Sequence, residues 1–158
     1  TVVILRRELL DDVPAGIPAI LDYRSHLKAE SIYNTPPVFA IYVALLVTRW
    51  LRDDIGSLAA MASVNEAKAR ALYSVIDQFP EFYQGRALAR DRSCMNVVFS
   101  LPSKDLETEF LRLATTEGFA GLEGHRSIGG LRASIYNAVT LEAAETLAQF
   151  MVEFQRRA

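Results

Sequence analysis

Ten consecutive apolar residues, Val38 to Val47, constrain this chain more than any other feature. The run follows Pro36-Pro37, and proline is tolerated in the first turn of a helix. Thr35 stands where a capping residue belongs. A helix from Pro37 to about Arg52 is predicted, with Asp53 and Gly56 marking its end. Apolar side chains surround its axis, so burial on most sides is expected. The run is about half the length that crosses a bilayer, so it reads as a buried helix and not as a membrane span.

The composition can support such burial. Hydrophobic residues make up 51% of 158 residues and charged residues 23%, enough for one domain or two small ones. Net charge is -2, from 17 basic and 19 acidic residues, which gives no support for a nucleic-acid surface. The single cysteine, Cys94, excludes an internal disulfide and fits a reduced, cytoplasmic setting. It begins the run Cys94-Met95-Asn96-Val97-Val98-Phe99 and is expected to be a small buried thiol. The opening Thr1-Val2-Val3-Ile4-Leu5 lacks the basic-then-apolar order of a signal peptide. It is expected to form a buried strand, and a start inside a core strand suggests a chain cut out of something longer.

Glu8 to Asp12 suits a short turn, and Asp22 to Pro37 an extended loop. A second long helix is predicted from about Ser57 to Gln78. Leu72, Val75, Ile76 and Phe79 form its stripe, while Glu66, Lys68 and Arg70 fall largely outside it. A domain boundary is placed within or just after this helix, near residues 65–80. Beyond it come a strand at Met95–Leu101, a helix at Lys104–Glu117 stopped by Gly118, a strand at Leu131–Tyr136, and a Thr140-capped helix from Leu141 to about Gln155. Strand, helix, strand, helix indicates an α/β unit with a small sheet covered by helices.

Two stretches are suited to anions. In Tyr33-Asn34-Thr35-Pro36-Pro37, Asn34 and Thr35 offer side-chain donors just before a helix N-terminus, which favours negative charge. The other reading is an ordinary cap and turn. In Gly124-His125-Arg126-Ser127-Ile128-Gly129-Gly130-Leu131-Arg132, arginines and a histidine flank paired glycines. Glycine lets the backbone turn sharply, and guanidinium forks grip carboxylate or phosphate. A glycine hairpin with two solvated arginines fits as well. His26 reads as a solvated loop histidine and Trp50 as core or interface. No metal-ligand spacing and no nucleotide-type glycine loop occurs.

Carried by these stretches, the sequence resembles the phosphoserine aminotransferases, class-V aminotransferases of the aspartate-aminotransferase fold type. The matching runs are Thr1 to Arg6, Leu21-Asp22-Tyr23, Tyr33 to Pro37, Arg92-Ser93, Met95-Asn96-Val97, Gly124-His125-Arg126, Gly129-Gly130, Arg132 to Ala138 and Phe150 to Phe154. The resemblance implies a pyridoxal-phosphate enzyme of fold type I. Residues 1–65 would be a remnant of its large cofactor-binding domain, with an interface loop and helix, and residues 66–158 its small C-terminal α/β domain. It implies a homodimer in which Asn34 and Thr35 reach the cofactor phosphate bound by the other subunit. It assigns the substrate α-carboxylate to Arg132, and the substrate's phosphate or side-chain carboxylate to His125 and Arg126. The implied reaction moves an amino group between glutamate and 3-phosphohydroxypyruvate, giving 2-oxoglutarate and phosphoserine.

The chain departs from the family in lacking its cofactor machinery: the lysine, the aromatic residue that stacks on the cofactor ring and the acidic partner of the pyridine nitrogen. The cofactor lysine is absent, since only Lys28, Lys68 and Lys104 occur and none lies in the family's lysine motif. The chain by itself is therefore expected to be inactive. A non-catalytic binding or dimerisation module derived from the fold is one alternative, and a related class-V aminotransferase with another substrate is the other.

Overall fold

The computed structural model describes residues 1–158, which divide into two compact units, Thr1–Thr48 and Arg49–Ala158. The first unit contains a short 3-10 turn at Arg7–Leu10, helix α1 (Tyr23–Lys28) and most of helix α2 (Val38–Asp53). No residue of this unit is buried. Four expectations change here. Thr1–Leu5 has no regular structure and pairs with no strand, so the expected strand does not form. The loop after Asp22 contains α1, because Asp22 caps it by accepting from the Arg24 amide and also grips the Arg24 guanidinium at 2.7 Å. Helix α2 exists where predicted, yet none of its residues is buried. Phe39 is 79% exposed and Val38 67%. Apolar patterning reports what a surface needs to cover it, and the first unit does not itself bury this one. The helix starts at Val38, whose amide donates to the Pro36 carbonyl, and Thr35 does not cap it.

The second unit holds the core. It runs α3 (Leu58–Gln78), β1 (Gln84–Gly85), β2 (Asn96–Ser100), α4 (Lys104–Thr116), β3 (Leu131–Ser134) and α5 (Leu141–Arg157). Each long helix begins at a hydroxyl that satisfies one free amide: Ser57 for Ala60, Ser103 for Leu106, Thr140 for Ala143. The three strands form one antiparallel sheet in the order β1-β2-β3. In the β2–β3 pair, Val97 faces Ala133 and Phe99 faces Leu131, and all four are buried. The alternate residues, Asn96, Val98, Arg132 and Ser134, lie on the opposite, more open face.

Helices α3 and α5 cover the buried face together with α4. Phe110 of α4 is fully buried and meets Phe99, Phe150 and Phe154 at ring separations of 6.1, 5.1 and 5.1 Å, all in edge-on arrangements. Two residues depart from expectation. Cys94 is exposed, because the ladder starts two residues later at Asn96 and Cys94 remains in the preceding loop. Lys68 was expected outside the buried stripe of its helix and is instead 0% exposed.

Candidate functional site

Arg132 sits mid-strand in β3, opposite Val98, so the alternation that buries Leu131 and Ala133 turns it to the open face of the sheet. Its amide donates to the Leu122 carbonyl at 2.8 Å. Its Nε is buried without a hydrogen-bond partner, and no carboxylate pairs with the guanidinium. A buried guanidinium N–H without an acceptor is costly, which suits a residue whose acceptor is an incoming acid. On the same face, Asn96 Oδ1 accepts from the Ser134 hydroxyl at 3.1 Å and from the Tyr136 hydroxyl at 3.3 Å.

Ahead of β3 the backbone closes a small loop. The Gly124 amide donates to the Gly130 carbonyl at 2.9 Å, and the Ile128 and Gly129 amides donate to the His125 carbonyl. A side chain at residue 124 would collide with the carbonyls of Gly129 and Gly130. At Gly130, φ is +74° and a Cβ would lie 2.8 Å from the Phe99 carbonyl, so glycine is required at both closures. The closed loop displays His125, Arg126 and Ser127 to solvent. The Ser127 amide donates to His125 Nδ1 at 3.3 Å, and the Ser127 hydroxyl lies 2.7 Å from the same nitrogen. With Nδ1 accepting, the neutral ring carries its hydrogen on Nε2, which remains a donor for a ligand.

Two further cations border this loop, and sequence reading missed both. Arg86 Nη1 donates to the Ile128 carbonyl at 3.3 Å, and Arg86 Nη2 lies 3.0 Å from where a Cβ on Gly130 would stand. Lys104 Nζ comes near Gly129 while pairing with Glu107 at 2.9 Å. Neither has a sequence signal, since Arg86 is 42 residues from its loop contact. The loop thus concentrates positive charge around a ring of backbone, an arrangement suited to a multiply anionic small molecule.

Asn34 and Thr35 belong to the other compact unit, both exposed, in the turn leading to α2. His26 is not a free loop histidine: it lies in α1, with Nε2 3.1 Å from the Ile20 carbonyl and its ring edge-on to Tyr33 at 5.2 Å. Trp50 is half-buried. No group of side chains could hold a metal ion, and no helix is long and apolar enough to cross a membrane.

The three lysines test whether the chain could bind an aldehyde cofactor covalently. Lys68 Nζ donates to three carbonyls in the interior, Lys104 is ion-paired, and Lys28 is exposed at the end of α1. Neither lysine of the second unit, Lys68 or Lys104, is free. Arg132 and the loop can receive an acidic group, and Lys68 and Lys104 are not free to form a Schiff base.

Residues 1–147 match the family described as Aminotransferase class-V. A phosphoserine aminotransferase of Geobacillus kaustophilus is 55% identical over 157 residues, which is 99% of this chain and 43% of that protein. The structure of phosphoserine aminotransferase from Bacillus circulans subsp. alkalophilus superposes with a TM-score of 0.89 at 45% identity, covering 97% of this chain and 42% of that one. The pyridoxal-phosphate-bound enzyme from Trichomonas vaginalis superposes with a TM-score of 0.83 at 37% identity, covering 94% and 42%. The chain spans less than half the length of these relatives.

Proposed function

The chain belongs to the class-V aminotransferase family, and from that premise we propose that it serves as the substrate-binding part of a phosphoserine aminotransferase. Residues 1–65 then belong to the large domain of a fold-type I enzyme and residues 66–158 form its small C-terminal domain. The observation that carries the reading is Arg132, an unpaired guanidinium with an orphaned buried Nε, next to the loop that displays His125 and Arg126.

In this reading Arg132 takes the α-carboxylate of glutamate or phosphoserine in a two-pronged grip. Nε2 of His125 and the Arg126 guanidinium take the group at the other end, phosphate in one substrate and side-chain carboxylate in the other. Anchoring both ends fixes the carbon between them, and that orientation is the protein's main contribution to rate. Asn34 and Thr35 donate to the cofactor phosphate held by the other subunit of a homodimer. Pyridoxal phosphate, when bound, supplies the electron sink for the amino transfer. The lysine that moves the proton is not among the residues of this chain, so these 158 residues alone are inactive. The setting is cytoplasmic, where glutamate is available as amino donor.

The test is Arg132→Ala in the complete enzyme. Losing two charged hydrogen bonds should raise the KM for both glutamate and phosphoserine by roughly a hundredfold. An unchanged KM for both would overturn the carboxylate role.

A further inference from the structure

Lys68 is a lysine of the interior whose chemistry the proposed reaction does not use. It is fully buried on α3, and no carboxylate accompanies it. Its three ammonium hydrogens meet three backbone carbonyls instead: Ile135 at 3.1 Å, Tyr136 at 2.9 Å and Val139 at 3.0 Å. Every donor is used. One turn earlier on the same helix face, buried Asn65 donates through Nδ2 to Asn137 Oδ1 at 2.9 Å. Two adjacent side chains of α3 therefore hold one five-residue segment, 135–139.

That segment is the exit of β3. Ile135 follows the last strand residue, Ser134, and lies three residues beyond Arg132. An apolar side chain could fill the space of the Lys68 stem without placing a charge in the interior, so packing alone does not account for a lysine. Three carbonyls turned toward one point do, because only a multi-donor group can serve them together. The β2–β3 ladder sets the register of β3 through pairs such as Val98 with Arg132. The Lys68 bonds add to that hold at the strand's end, where a slip would break them as well. Register matters here because side chains alternate, and a shift that displaces Arg132 from the open face removes it from the substrate.

We infer that Lys68, aided by Asn65, is a positioning residue for substrate binding: it anchors the exit of β3 and thereby sets where the Arg132 guanidinium stands. The inference rests on the assignment of the substrate carboxylate to Arg132. Burial pulls the ammonium's pKa down.

The experiment compares Lys68→Met, Asn65→Ala and Arg132→Ala with the unaltered complete enzyme loaded with pyridoxal phosphate. Lys68→Met keeps the apolar stem and removes all three donors. The expected result is a rise in KM for glutamate and for phosphoserine of about tenfold or more, with kcat at saturation changed by less than about threefold. Amide exchange at Ile135 and Val139 should accelerate in the same variant, a readout independent of turnover. A folded Lys68→Met enzyme with unchanged KM values overturns the inference, even if its melting temperature falls. Should Lys68→Met fail to fold, Asn65→Ala decides: both KM values should rise by about two- to fivefold, and unchanged values overturn the inference. Arg132→Ala separates the two claims. If it leaves KM unchanged, the carboxylate assignment fails. If it raises KM while the Lys68 and Asn65 variants do not, only the positioning role fails.

Discussion

Tyr83→Phe isolates a single hydroxyl in the core. Tyr83 is fully buried, its ring edge-on to Phe82 at 5.0 Å and to Phe99 at 5.6 Å, and its hydroxyl donates to the Met151 carbonyl at 2.6 Å. Phenylalanine keeps both ring contacts and removes only the donor. Met151 lies inside α5, so its carbonyl retains the helical bond from four residues on and is not orphaned. The cost is therefore the net value of one hydrogen bond, about 0.5–1.5 kcal/mol, without the penalty for an unsatisfied acceptor. In a chain of this size that lowers Tm by about 1–6 °C. Urea melts followed by circular dichroism should show a lower midpoint with an unchanged slope. The alkaline limb gives a second check. Burial raises the Tyr83 pKa above its ordinary 10.0. The folded chain thus keeps a proton that the unfolded chain releases. Stability from this difference is complete below pH 10 and is lost as pH rises beyond it. Tyr83→Phe should show a shallower decline there. A loss above about 3 kcal/mol, the size of a deleted core ring, would refute the reasoning, as would an unchanged alkaline limb.

Two further outcomes test the loop and the surface. Gly124→Ala must push apart the backbone that closes the His125-Arg126 loop; it should cost about 1–3 kcal/mol in a denaturant melt and raise KM for phosphoserine more than for glutamate. Asp77→Asn removes the carboxylate gripped by Arg92, which itself stacks 4.5 Å from the Tyr73 ring centre. The bond to Arg92 lowers the Asp77 pKa below 3.8, so its contribution is present above that pH and is lost as pH falls through the lowered value. Asp77 is 56% exposed, so the effect at neutral pH should not exceed about 1 kcal/mol in a urea melt.

The elements with explicit punctuation were legible. Ser57, Ser103 and Thr140 each begin a helix, and Gly118, at φ +88°, ends one. What surrounds an element was less so. The pattern of α2 correctly specifies a helix, but whether anything covers it depends on atoms elsewhere. Cys94 was misjudged because an apolar run does not reveal where the ladder begins. Lys68 was misjudged although it stands four residues before Leu72 and so shares its helix face; only the three carbonyls it caps, 67 to 71 residues away, were beyond the sequence. At the site, Arg132 and the glycines stood out locally, and their roles came from family resemblance. Arg86 and Lys104 reach the loop only through folding, so no spacing could reveal them.

The long separation between Lys68 and its acceptors has a consequence during synthesis. Val139 is made 71 residues after Lys68, which at about 5–20 residues per second takes about 4–14 s. Until that segment follows, α3 lacks the strand exit and the α5 that will cover it. Lys68 is then hydrated and charged in the midst of Met61, Leu72, Val75 and Ile76. A charge beside apolar residues discourages premature self-association of a nascent segment. The same ammonium thus guards the unfinished helix in water before it becomes the anchor of the finished one.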